Sequence, residues 1–152
     1  MLEKILVCLD GSSAAERVLP YITNDVAKLH GKVVLLRVID LPKTIIPVSI
    51  PGSPAIPLQT TGAVKRTIDE QLEAGDYLKK KTKALKAKGL DVEYLVLSGV
   101  AGETIVKYAQ ENDCTLIALA THGHGGFRRL TLGSTADYVV HRSSIPVLTV
   151  RR

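Results

Sequence analysis

Aromatic residues and cysteines are scarce in this chain of 152 residues. It holds five tyrosines, one phenylalanine, no tryptophan and two cysteines. The shortage of rings argues against a base-stacking surface for nucleic acid, although the net charge is +5. Cys8 and Cys114 each fall in apolar patterns far apart in the sequence, which favours two small buried side chains over a disulfide or redox pair. We therefore expect a reducing, cytoplasmic setting.

Long hydrophobic runs are also missing. No apolar stretch approaches the roughly 20 residues that a membrane-spanning helix needs, and the start of the chain lacks the pattern of a signal peptide. The lysines between positions 79 and 88 account for the excess positive charge and are typical of a solvated helix face. We therefore expect neither a membrane nor a nucleic acid as partner.

Five short apolar runs alternate along the chain with helical patterns. The third run is partly alternating, which indicates a strand near a sheet edge, and the fourth is apolar throughout, which indicates a central one. Such alternation predicts one α/β domain over residues 1–152, with an open five-stranded parallel sheet and helices on both faces. The predicted strands are Lys4–Leu9, Lys32–Ile39, Asp91–Leu97, Thr115–Ala120 and Ile145–Val150.

Four helices are expected between these strands. The capping-box pattern Ser13-Ala14-Ala15-Glu16 predicts the start of the first, which Pro20 should kink and Gly31 should end. The others are predicted over about Val64–Lys88, Gly102–Asn112 and Ser134–Arg142, with Ile68, Leu72, Leu78 and Leu85 of the long helix facing inward. Five prolines between Asp40 and Gly62 predict an irregular loop, which either flanks a ligand site or an oligomer contact or is a plain surface excursion.

The densest chemistry follows the fourth strand. The glycine-rich run Leu119–Gly126 contains His122 and His124, and it is followed by Arg128 and Arg129 and then by Gly133-Ser134-Thr135. Backbone N–H groups at such a turn before a helix form an anion site suited to phosphate. Asp10 ends the first strand. If the two strands are neighbours, its carboxylate faces the same crevice and can accept a hydrogen bond from a ribose hydroxyl. Gly123, Gly133, Ser134 and Thr135 are the candidate phosphate contacts.

Each of these features also has a plainer explanation. In the plainer explanation Asp10-Gly11 only ends a strand in a turn, Ser134 is only a helix N-cap, and the glycines only allow positive φ. The P-loop, the Gly-x-Gly-x-x-Gly fingerprint after the first strand, and the Gly-x-Ser-x-Gly elbow are all absent from the sequence. His122 and His124 have no third and fourth ligands nearby, so we expect no metal site.

The chain resembles the universal stress protein (UspA) family over essentially its whole length. The resemblance rests on Ile5–Ser12, on Val38-Ile39-Asp40 and on Ser144–Val150. The ATP-binding branch of that family carries Gly-x2-Gly-x9-Gly-Ser/Thr. This sequence has Ala120-x2-Gly123-x9-Gly133-Ser134, so only the first glycine is replaced.

The resemblance implies a Rossmann-like sheet of the adenine nucleotide alpha hydrolase type, with strand order 3-2-1-4-5. It implies binding of ATP, or of ADP or AMP, with or without Mg²⁺, and a homodimer formed through the last strand, Ile145–Val150. Asp10 would contact the ribose and the Val38 backbone the adenine. The positions around the phosphates would be Leu119, Ala120, Gly123, Gly133, Ser134 and Thr135.

Three functions remain open at this stage. The first is a nucleotide-binding stress-response module with little or no turnover, because no general base or Mg²⁺-ligand set is evident. The second is a nucleotide-free dimeric interaction protein, which a site blocked by Ala120 would favour. A nucleotidyltransferase is the third, and it is disfavoured because His122-Gly123-His124 follows the fourth strand and not the first.

Overall fold

The computed structural model describes residues 3–26, 31–40, 46–48, 56–58, 61–121 and 132–151. Five parallel strands form one sheet, and two short antiparallel strands pair separately. The strands are β1 (Lys4–Cys8), β2 (Lys32–Ile39), β3 (Ile46–Val48), β4 (Ile56–Leu58), β5 (Val92–Ser98), β6 (Leu116–Ala120) and β7 (Val147–Val150). The main sheet has the order β5-β2-β1-β6-β7. Counted along the chain this is 3-2-1-4-5, which confirms the predicted fold class.

Helices cover both faces of this sheet. On one face lie α2 (Thr61–Lys86) and a helical segment, α1, made of a 3₁₀ turn (Ala15–Val18), an α-helical turn (Leu19–Tyr21) and a π-helical turn (Ile22–Val26). On the other face lie α3 (Ala101–Glu111) and α4 (Ser134–Arg142). Side chains of β1 pack alternately against the two helical layers, because successive strand residues point to opposite faces of the sheet. Ile5 and Val7 pack under α1 and α2, and Leu6 packs under α3 and α4. No described helix is both long enough and apolar enough to cross a bilayer.

The start of α1 differs from the capping-box prediction. The N-cap residue is Ala14, whose side chain cannot cap, and Ser12, not Ser13, supports the first turn: its Oγ accepts a hydrogen bond of 3.1 Å from the Ala15 N–H. Glu16 does not reach back to the first turn, because its carboxylate is engaged by Tyr77 and Lys81 of α2. A tertiary contact has therefore overridden a local pattern.

The first turns of α2 are more exposed than predicted. Leu78 and Leu85 are buried, but Ile68 and Leu72 are 50% and 64% exposed. The reason is length: 26 helical residues span about 39 Å at 1.5 Å per residue, whereas the seven residues of β5 span only about 23 Å. Gln71 already lies beside Ser98, the last residue of β5, so Ile68 and the turns before it extend past the strand, and Leu72 lies level with its end.

The proline-rich stretch contains more regular structure than the prediction allowed. β3 and β4 form an antiparallel pair in which Pro47 stands opposite Pro57. Since proline has no N–H, these two residues can only form the non-hydrogen-bonded pair of the ladder, where a missing donor costs no bond. The prediction that the prolines forbid all regular structure there was wrong, and α2 already begins at Thr61.

Candidate functional site

A cleft of about 380 Å³ opens at the carboxyl ends of β1 and β6. These strands are neighbours, and the chain leaves them in opposite directions, towards β2 and towards β7. Such a switch point is where open α/β sheets bind ligands. Of the eight predicted site residues, the seven that line this cleft are Asp10, Val38, Leu119, Ala120, Gly133, Ser134 and Thr135. The eighth, Gly123, lies outside the described residues, as do His122, His124, Arg128 and Arg129.

The Asp10 turn follows the last backbone bond between β1 and β2, which the Leu9 N–H donates to the Leu36 carbonyl over 2.9 Å. Asp10 Oδ1 accepts a hydrogen bond of 2.8 Å from the Ser12 N–H, and Gly11 between them has φ of +88°. Glycine adopts that angle without steric strain. The turn therefore holds an exposed carboxylate at the rim of the cleft.

The amino end of α4 forms the opposite wall. Gly133 is the N-cap residue, and no side chain caps the helix there. The explanation of Ser134 as a mere N-cap is therefore wrong, since Ser134 is the first helical residue and is exposed. First-turn N–H groups have no partner within a helix, and the helix dipole makes this end attractive to anions. With the Ser134 and Thr135 hydroxyls, this wall is suited to phosphate oxygens.

The remaining lining is mainly apolar, and sequence analysis had not singled it out. It consists of Cys8, Leu36, Ala101 and Ile105, with Leu9, Ala15 and Ala136. Strand residues Cys8 and Leu36 sit near carboxyl ends, and Ala101 opens a helix that follows an edge strand. Their shared position at the carboxyl ends of the strands could have identified these lining residues from the sequence. An apolar floor next to Val38 suits a flat heterocycle.

The universal stress protein family model matches residues 1–151. The chain belongs to this family. Universal stress protein Slr1230 of Synechocystis is 32% identical over 148 residues, which cover 97% of this chain but only 42% of that relative's length. The solved structure of hypothetical protein MJ0577 of Methanocaldococcus jannaschii has a TM-score of 0.81 and 27% identity, covering 100% of this chain and 97% of that one.

A third relative carries a ligand. It is a universal stress protein solved in complex with cAMP, with a TM-score of 0.68 and 20% identity, covering 99% of this chain and 97% of that one. At this identity the likeness shows the fold alone.

The described part of this universal stress protein contains no cluster of metal-binding side chains. Within the ranges that the structure describes, no group of three or more histidine, cysteine, aspartate or glutamate side chains is placed to hold a metal ion. Asp10 is the one carboxylate among the described residues that line the cleft.

Cys8 is a thiol on the cleft floor that is held neutral. Burial, with a further contribution from Cys114, raises its pKa from 9.0 to about 12. Both cysteines are free, in line with the interpretation of two unpaired apolar side chains. A thiol that stays protonated at neutral pH is a poor nucleophile, so Cys8 contributes packing and not covalent chemistry.

We expect this thiol to make stability fall at alkaline pH. The folded protein keeps the Cys8 proton up to about pH 12, whereas the unfolded chain releases it near 9.0, so the unfolded state gains relative stability between these values. The free energy of unfolding of the wild type should fall faster with pH than that of Cys8→Ala, by up to about 1.4 kcal/mol per pH unit above pH 9. Urea unfolding across this range measures both slopes, and equal slopes would contradict the burial of this thiol.

Proposed function

We propose that this universal stress protein binds an adenine nucleotide, ATP in the first place and ADP or AMP as alternatives, and acts as a stress-response sensor with little or no turnover. The observation that carries the proposal is the convergence of seven residues from four separate parts of the sequence on one cleft at the switch point. Its volume of about 380 Å³ is within the range of small-ligand sites. A cAMP complex of a relative with the same fold supports the adenine assignment.

The residues that line the cleft offer suitable chemistry for each of the three parts of a nucleotide. The apolar floor around Leu36 and Ile105 suits the base, with the Val38 backbone able to hydrogen-bond its edge. Asp10 offers a carboxylate to the ribose hydroxyls. The amino end of α4, with Ser134 and Thr135, offers N–H and hydroxyl donors to the phosphates.

Low turnover is proposed because the cleft offers little for hydrolysis. Asp10 is the one carboxylate among its described lining residues, and a ribose contact would already occupy it. A phosphoryl transfer site needs a group that orients the attacking water and ligands that hold a metal ion on the phosphates. Mg²⁺ would therefore be bound chiefly by the nucleotide itself.

The homodimer is proposed to form through β7. This strand is one edge of the main sheet, and an unpaired edge of backbone N–H and C=O groups is a template for a second strand. Its residues, Val147 to Val150, are mostly apolar and only partly buried within the chain. The cytoplasmic location stays a prediction that rests on the two unpaired cysteines.

A nucleotide-free interaction protein is the second candidate function. The observation that favours it is the exposed pair Ile68 and Leu72 on α2, since apolar side chains grouped at the surface mark partner contacts. The two functions differ in whether the isolated protein takes up nucleotide.

Calorimetric titration of nucleotide-stripped protein with ATP, with and without Mg²⁺, tests the proposal. We expect micromolar binding, weakened about tenfold or more in Asp10→Ala because a charge-assisted hydrogen bond to the ribose is lost. Asp91→Ala is the matched control, since Asp91 is an exposed aspartate just before β5, at the opposite edge of the sheet. No heat from the wild type would refute nucleotide binding and favour the interaction protein.

A further inference from the structure

The turn that carries Asp10 is supported from behind by Arg37. A β-carbon added to Gly11 would lie 3.0 Å from one guanidinium nitrogen of Arg37 and 3.2 Å from its central carbon. Arg37 itself does not line the cleft, whereas its neighbours Leu36 and Val38 do. This follows from strand alternation, which points Arg37 to the opposite face of the sheet.

Arg37 is in turn held by Tyr77 of α2. Its guanidinium lies 5.7 Å from the centre of the Tyr77 ring, and Lys81 Nζ lies 5.6 Å from the same ring. A cation at this distance from an aromatic face is attracted by the ring's electrons. Arg37 is therefore located by a ring on a different element from its own.

Tyr77 is fixed by Glu16, in the first turn of α1. Its hydroxyl donates a hydrogen bond of 2.9 Å to Glu16 Oε1, and Lys81 Nζ donates one of 2.6 Å to Glu16 Oε2. Burial alone would raise the pKa of Glu16, but these two hydrogen bonds and the positive charge of Lys81 together outweigh it and lower the pKa. The Glu16 N–H also donates to the Ser12 carbonyl over 3.4 Å.

These contacts form a closed chain of interactions around the turn. It runs from Asp10 to Ser12, through the backbone to Glu16, across to Tyr77, then to Arg37 and back to Gly11. Gly11 has the most flexible backbone of these residues, because glycine can adopt many conformations besides the observed φ of +88°. The Arg37 guanidinium, which lies beside the space that a β-carbon of Gly11 would occupy, limits that freedom.

We propose that Arg37 and Tyr77 are positioning residues that hold Asp10 in place for the ribose of the bound nucleotide. The inference rests on the proposed function, because it gives a role to residues that do not touch the ligand. A shift of about 1 Å in such a group is enough to lose most of its contribution to binding. The closed chain of contacts therefore orients one carboxylate, that of Asp10.

The test compares the binding of ATP with that of 2′,3′-dideoxy-ATP, which lacks the ribose hydroxyls that would donate hydrogen bonds to Asp10. Wild type should prefer ATP by about tenfold or more. Arg37→Met should reduce this preference to about twofold by weakening ATP while leaving dideoxy-ATP unchanged. A merely structural role would weaken both nucleotides alike.

Matched variants distinguish the contributions of Arg37 and Tyr77 to this closed chain of contacts. Lys32→Met removes another cation of β2, one that is paired with Glu93 over 2.7 Å at the far edge of the sheet, and should keep the preference. Tyr77→Phe and Tyr77→Leu both remove the hydroxyl, but only phenylalanine keeps a ring under Arg37. We expect phenylalanine to retain most of the preference and leucine to lose it.

Each outcome decides something different. If wild type prefers ATP and Arg37→Met and Tyr77→Leu keep that preference, the positioning role is overturned while nucleotide binding stands. If wild type binds both nucleotides equally, Asp10 does not read the ribose and the inference is overturned. If wild type binds neither, the proposed function fails and the inference fails with it.

Discussion

Ala120→Leu is expected to weaken ATP binding at least about 100-fold, which corresponds to roughly 2.7 kcal/mol of binding free energy. Ala120 ends β6 and lines the cleft between the Asp10 turn and the amino end of α4. A leucine adds three carbon atoms at this point. α4 cannot yield cheaply because its inner face packs against α3 and the sheet, and the backbone of Ala120 is fixed by its pairing with Val150.

The reverse change, Ala120→Gly, should have a much smaller effect. Ala120 lies in regular strand conformation, paired with Val150, and does not have a positive φ. The glycine of the family pattern is therefore not demanded here by the backbone, and only the methyl group distinguishes the two residues. We expect affinity to rise by no more than about tenfold.

Ala87→Leu is the control for the added side chain. Ala87 follows the end of α2 and is exposed, so leucine there should leave binding and thermal stability nearly unchanged. Calorimetry gives the affinities and thermal unfolding shows whether each variant is folded. A folded Ala120→Leu protein with unchanged affinity would mean that the nucleotide lies elsewhere.

Local signals predicted the parts of the site that the backbone forms by itself. Asp10-Gly11 marks the end of an apolar run, and Gly133-Ser134 marks the start of a helical pattern, so the sequence alone predicts both positions. The helix over Ser134–Arg142 has the predicted bounds. The strand order brings these two ends together, and the resemblance to the family supplied that order.

Contacts between distant segments were outside the reach of such signals. Glu16 matches a capping box, yet its partners are Tyr77 and Lys81, more than sixty residues away. Ile68 and Leu72 fit the apolar period of α2, but a period does not show where the sheet beneath the helix ends. Arg37 carried no signal because its role depends on Gly11 and Tyr77 together.

The packing of α3 against α4 allows a prediction with a matched pair of glycines. A β-carbon on Gly102 of α3 would lie 2.7–2.9 Å from Cδ1, Cγ and Cβ of Tyr138, on α4. Cβ is fixed to the backbone, so the tyrosine cannot swing away and the helices must separate. Gly75, within α2, has nothing within 4 Å of the added carbon.

Gly102→Ala should therefore destabilise the protein, and Gly75→Ala should stabilise it, although the chemical change is the same. Alanine gains about 1 kcal/mol over glycine in a helix, whereas overpacking costs about 1–3 kcal/mol. The two variants should differ by at least about 1–3 kcal/mol in the free energy of unfolding, because only Gly102→Ala causes overpacking and Gly102, in the first turn of α3, gains no more from alanine than Gly75 in the interior of α2. Urea unfolding measures this difference, and equal stabilities would show that α3 and α4 pack less closely at Gly102. Because the amino end of α4 is the proposed phosphate site, Gly102→Ala should also weaken ATP binding, whereas Gly75→Ala should not.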